Sequence, residues 1–165
     1  MDVSEQVRRA KLEDLGEITR LAREASQAEG QVDEAEVTEW LFGKGVWVAI
    51  RDQSPVGVAA WQAENLLAVT DVFHVAPAEY WLEVGSQLLE TIEGEAHTLM
   101  CEANVVLLPA LAPEAARILL QQQGYERNTY DELHRIWREV LSDFGGDELE
   151  IMVKRLRDRM VMIPL

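Results

Sequence analysis

Few side chains in this sequence combine reactivity with a suggestive position. Asp71 and His74 interrupt the apolar run Leu66 to Val75, and a carboxylate or an imidazole can each act as a general base. Strand alternation would put the two on opposite faces, so at most one would face a site on that strand. The competing reading is a solvated acid and a half-buried histidine. His97 follows a helix end, where the dipole favours a cation, and His134 lies on the polar side of a late helix. Neither has a partner at metal-ligand spacing, so no metal site is expected. The single cysteine, Cys101, sits in the apolar run Thr98 to Cys101. That excludes an intrachain disulfide or a Cys-based zinc site, and the thiol reads as a small buried hydrophobe.

Composition narrows the setting. At 165 residues and 48% apolar the chain fits one domain with a sizeable core. Its longest apolar stretch, Val105 to Ala112, is far short of the roughly 20 residues that span a bilayer. Met1 to Arg9 lacks the basic start and apolar centre of a secretory signal, so a cytoplasmic location is expected. A formal charge of -15, from 30 acids against 15 bases, repels nucleic acid and anionic lipid. It attracts a cationic or amine-bearing substrate, although solubility alone would also account for it. Lys11, Lys44 and Lys154 are the only lysines.

The elements follow from periodicity and punctuation. Val7 to Ala10 reads as a strand, and Leu15, Ile18, Leu21, Ala22 and Ala25 recur at helical spacing up to Gly30. Asp33 and Glu36 look like the capping pair of a second helix carrying Val37, Trp40 and Leu41, which Gly43 and Gly45 stop. Val46 to Ile50, Val56 to Trp61 and Leu66 to Val75 form an expected three-strand meander. After Pro77 comes a helix marked by Val84, Leu88, Leu89, Ile92 and Ala96, then a strand over Thr98 to Leu108, then a helix from Pro113 to Gly124. This strand-helix-strand unit predicts a parallel pair. Tyr125 to Thr129 and Leu149 to Val153 close the sheet. Between them, Glu132 to Phe144 is the clearest amphipathic helix, with Thr129 and Glu132 at capping-box spacing.

The order β, α, α, three strands, α, β, α, β, β resembles the GCN5-related N-acetyltransferase family over about Val7 to Leu156. Val7-Arg8-Arg9-Ala10 with Glu13-Asp14-Leu15, Val75-Ala76-Pro77 with Val84-Gly85-Ser86-Gln87-Leu88-Leu89, Pro113 to Arg117 with Gly124-Tyr125, and Met152 to Leu156 each look like that family's segments in their order. The resemblance implies one domain over 1–165, with its core at about 7–156 and an apolar tail at 157–165. The implied fold class is α/β (α+β), a mixed, mostly antiparallel sheet flanked by helices, with an extra helix between the last two strands. It also implies acetyl coenzyme A as cosubstrate, lying where the fourth and fifth strands splay.

In that family backbone amides from Val75 onward would hold the pantetheine, and N–H groups of Leu82, Glu83, Val84, Gly85 and Ser86 would open the third helix against the pyrophosphate. Asp71 or His74 would deprotonate the amine. The match has gaps. Tyr80-Trp81-Leu82-Glu83-Val84-Gly85 keeps only Gly85 of the usual loop, and the Glu83 carboxylate stands where phosphate would be repelled. Leu120 replaces the tyrosine thought to protonate the thiolate, and Ala112 a common asparagine. Tyr80 and Trp81 would cover the pocket. The implied activity is acyl transfer from coenzyme A to a small-molecule or peptide amine, mainly by positioning, and the intact Val84-Gly85-Ser86 favours it. The alternative is a non-catalytic sensor or interaction domain. A homodimer is expected through the late helix or the apolar tail, unless that helix is a lid or packs on its own sheet.

Overall fold

The computed structural model describes residues 5–26, 32–109 and 112–158. Gly30 and most of the C-terminal tail, 159–165, lie outside the described residues. The meander forms as the sequence indicates: β1 (Glu5–Arg9), β2 (Gly45–Arg51), β3 (Ser54–Glu64) and β4 (Leu67–Val75) pair antiparallel in turn. Asp52 and Gln53 join β2 to β3 with φ of 49° and 70°, the left-handed pair that lets a two-residue turn follow the strand twist. β5 (Ala103–Leu108) lies parallel to β4 after the crossover helix α3 (Ser86–Thr98). β7 (Glu150–Arg155) inserts between β5 and β6 (Glu126–Asn128), giving the order β1-β2-β3-β4-β5-β7-β6.

Helices cover both faces. On one, α3 and α4 (Glu114–Gln122) bury Leu88, Leu89, Ile92, Leu119 and Leu120 against Ala59, Ala68, Phe73, Val106 and Met152. On the other, two separate clusters sit side by side. α1 (Leu15–Ala25) and α2 (Glu34–Gly43) cover Val48, Val58 and Val72, while α5 (Arg135–Ser142) covers Leu67, Val69, Val105 and Leu107. Leu133, Trp137, Val140 and Leu141 are buried in that second cluster. The apolar stripe of the late helix therefore packs on its own sheet. Among the described residues no helix is long and apolar enough to cross a membrane.

The starts of α5 and β5 differ from the sequence reading. Asp33 does cap α2, its Oδ1 accepting from the Glu36 N–H at 2.9 Å, but Thr129 and Glu132 do not box α5. Leu133 is extended (φ -81°, ψ 153°) and interrupts the run, so α5 starts later. His134 Nδ1 caps it by accepting from the Ile136 N–H at 3.2 Å. The strand placed over Thr98 to Leu108 begins only at Ala103, because α3 continues through Thr98. Met100, at φ 64°, closes that helix, with the Cys101 N–H bonded to the Ala96 carbonyl.

Candidate active site

The β4–β5 ladder is short. It runs from Leu67↔Ala103 to Thr70↔Val106 and stops, although β4 continues to Val75 and β5 to Leu108. Beyond Thr70 the strands part around a cleft of about 640 Å³. Its walls are Asp71 and Phe73 to Val75 from β4 with Ala76 just after it, Leu107 and Leu108 from β5, Ala116 from α4, and Glu24 to Ser26 from the end of α1. Pro77, Ala78 and Trp81 close one side, and the Trp81 ring meets Phe73 edge-on at 4.9 Å.

A β-bulge decides what β4 presents there. Ala60 pairs with Val72 and Trp61 with Thr70, leaving Asp71 as the extra residue. The bulge resets the alternation. Asp71 and His74, expected on opposite faces, both line the cleft. Asp71 accepts from Lys44 Nζ through both oxygens, at 2.9 and 3.0 Å. His74 stacks on Trp40 of α2, with centroids 6.2 Å apart. Burial pushes its imidazole down to about 4, so at neutral pH the ring carries no charge and one nitrogen keeps a free lone pair.

The turn after β4 differs more. Pro77 precedes a 3₁₀ turn, Ala78–Tyr80, which passes through a wide π turn, Trp81–Gly85, into α3. Tyr80, Trp81, Gly85 and Ser86 all have helical dihedrals, so the helical run opens at Ala78 and not at Leu82. Of the six residues expected around the cofactor, Val75 lines the cleft and the other five do not. Leu82 and Glu83 are exposed, Val84 is buried in the core, and the Ser86 hydroxyl donates to the Leu82 and Glu83 carbonyls. Gly85 faces α4: a Cβ there would stand 2.2 Å from Leu119 Cδ2. Close helix packing accounts for this glycine. Glu83 turns toward β2, where the buried Arg51 also donates to Gln87 and the Ile50 carbonyl. A buried guanidinium requires such partners.

Of the remaining candidates, Cys101 is fully buried, which pushes its thiol up and away from nucleophilic chemistry. Leu120 is buried in the core and carries no hydroxyl, while Ala112 borders the cleft. Sequence reasoning missed Lys44 and Gln62. The scarcity of lysine was visible, but nothing in the spacing tied Lys44 to Asp71, 27 residues away.

No protein-family model and no curated protein matches this sequence. Solved structures do. The chain superposes on an acetyltransferase of the GNAT family from Staphylococcus aureus Mu50 with a TM-score of 0.75 at 13% identity, covering 93% of this chain and 99% of that one. PaiA N-acetyltransferase from Thermoplasma acidophilum, in complex with coenzyme A, gives 0.71 at 12% identity over 93% and 99%. N-acetylglutamate synthase from Neisseria gonorrhoeae, complexed with coenzyme A and N-acetylglutamate, gives 0.73 at 17% identity. The match takes in 95% of this chain but only 36% of the synthase. The fold is that of the GCN5-related N-acetyltransferases: a seven-stranded, mostly antiparallel sheet flanked by helices, with the fourth and fifth strands parting around a cleft.

Proposed function

We propose that this protein is an acyltransferase that moves an acetyl or short acyl group from coenzyme A to an amine. The observation that carries this reading is the fork itself, where β4 and β5 lose their pairing after Thr70↔Val106 and a helical run opens at Ala78 on the rim of the cleft. Acetyl coenzyme A fits the donor set. Unpaired strand amides beyond Thr70 suit an amide-bearing arm such as pantetheine, and the apolar walls of Trp81, Leu107 and Leu108 suit its chain. No Lys or Arg lines the cleft among the described residues, so a pyrophosphate there depends on N–H groups of the turn at Ala78. The bound thioester would supply the activated acyl group. Neutral His74 would take the proton that the attacking nitrogen loses as the C–N bond forms and the C–S bond breaks, and would pass it to the departing thiolate so that coenzyme A leaves as its thiol, and the rest of the barrier falls to positioning. Solved proteins of this fold with coenzyme A bound support the assignment.

The same reading includes a cytoplasmic homodimer. Light scattering tests it, and a strict monomer at high concentration removes it. For the cosubstrate, acetyl coenzyme A at ~100 times its dissociation constant stabilises a fold that alone binds it by roughly 2.7 kcal/mol. Thermal denaturation with ligand should shift upward, and thiol release in the presence of amines should follow. No shift at millimolar ligand with the fold intact would overturn the reading.

A further inference from the structure

Lys44 sits in a fully formed receptor for a primary ammonium. It follows the C-terminus of α2, and its Nζ lies 3.0 Å from Asp71 Oδ1, 2.9 Å from Asp71 Oδ2 and 3.0 Å from Gln62 Oε1. A primary ammonium has three N–H donors and no acceptor, so three acceptors use all of them. The face of Phe144 lies 5.2 Å from the same nitrogen, within the range at which an aromatic ring attracts a cation. The pair is only partly shielded, with the Lys44 and Asp71 side chains 15% and 21% exposed.

Asp71 belongs both to this receptor and to the wall of the cleft. An amine entering the cleft arrives protonated, and the carboxylate that it meets is already matched to an ammonium. We infer that Lys44 is a placeholder: the acceptor's primary ammonium displaces it and is held by Asp71 and Gln62 in its stead. This rests on the reading of the cleft as an acetyl-transfer site. Exchanging one ammonium for another never leaves the half-buried carboxylate unpaired, and a flexible four-carbon stem at a helix end lets Lys44 swing into water. The substrate class follows from the donor count. Each N-methyl group removes one of the three bonds, and a planar guanidinium does not present donors as a tripod, so unmethylated alkylammonium ions are selected. The chain's charge of -15 favours their approach.

The test is an NMR titration with n-butylammonium and its N-methyl, N,N-dimethyl and N,N,N-trimethyl analogues, on the wild type and on Lys44→Met. Methionine keeps an apolar stem of similar length and removes only the competing ammonium. Removal of the competing ammonium should tighten n-butylammonium binding by about tenfold or more, and affinity should fall with each methyl group. Equal affinity in the two proteins, or indifference to methylation, overturns the inference. If Lys44→Met does not fold, the methylation series on the wild type decides alone. Thermal shifts with acetyl coenzyme A separate the two readings. A shift without amine selectivity removes the placeholder and keeps acetyl transfer, whereas amine selectivity without a shift keeps the ammonium site and removes acetyl transfer.

Discussion

Up to Thr70, β4 is tied to β5 twice; beyond it, not at all. The first tie is the backbone ladder, and the second is a side-chain network buried at Thr70, Asn104 and Tyr125 and half-buried at Glu93 and Lys154. Thr70 Oγ1 donates to Asn104 Oδ1 (2.9 Å), Asn104 Nδ2 to the Tyr125 hydroxyl (2.8 Å), Tyr125 to Glu93 (2.7 Å), and Lys154 to the other Glu93 oxygen (2.9 Å). Burial, then the nearby Glu93 charge, raises the Tyr125 phenol, which stays protonated as a donor. From Asp71 on, the polar groups of β4 face an open cleft. The fork arises from this contrast. A satisfied polar network at the crotch fixes the last paired residue, and the bulge at Asp71 turns the next side chains into the gap.

Asn104→Ala should break the closed half most severely, leaving the Thr70 and Tyr125 hydroxyls without their buried partner. At about 1–3 kcal/mol for each such group, a loss of about 3 kcal/mol is expected in urea denaturation. A loss below 1 kcal/mol would mean that the network does not hold the fork. Gly85→Ala comes next. With Leu119 Cδ2 at 2.2 Å and Trp81 Cε3 at 3.2 Å from the new Cβ, overpacking should cost about 1–3 kcal/mol. A variant of unchanged stability would show that Gly85 is not a packing glycine.

The open half should respond to pH through His74. Its folded value of about 4 lies below the ordinary 6.5, so between these values the unfolded chain binds the extra proton. This contribution is complete above pH 6.5 and is lost as pH falls toward 4, by at most about 1.4 kcal/mol per pH unit. Denaturation midpoints of the wild type and His74→Gln, compared between pH 6.5 and 5, isolate it; parallel curves would contradict it. Glu83→Gln should do least. Its carboxylate is exposed and 3.5 Å from Arg51, a contact worth under about 1 kcal/mol, and it faces away from the cleft. Acetyl coenzyme A should bind the variant as it binds the wild type, whereas a marked gain at low salt would restore Glu83 to the phosphate site.

The sequence carried most of the scaffold because each signal was local. β-rich runs broken by a polar turn mark β2 to β4, Asp33 and Glu36 mark the start of α2, and the stripe from Leu133 to Leu141 marks the late helix. What it concealed was local in space but not in sequence. A single extra residue at Asp71 leaves no compositional trace, yet it reverses the facing of His74 relative to Asp71. Ala78 to Tyr80 carries no apolar period, so the helix start was placed at the apolar Leu82, one turn late. Glu83 looked like an obstacle to phosphate because Arg51, its partner across the turn, is 32 residues away. Lys44 went unassigned for the same reason.

Ligand is expected to enter where β4 and β5 lose their pairing, with the turn at Ala78 on the rim. Hydrogen exchange with and without acetyl coenzyme A tests it most directly, because unpaired strand amides exchange readily until a ligand satisfies them. Protection should appear in peptides covering Asp71 to Ala78 and at Leu107 and Leu108, with little change in the already paired Leu67 to Thr70. Protection confined to Leu82 to Ser86, or none at saturating ligand, would contradict it.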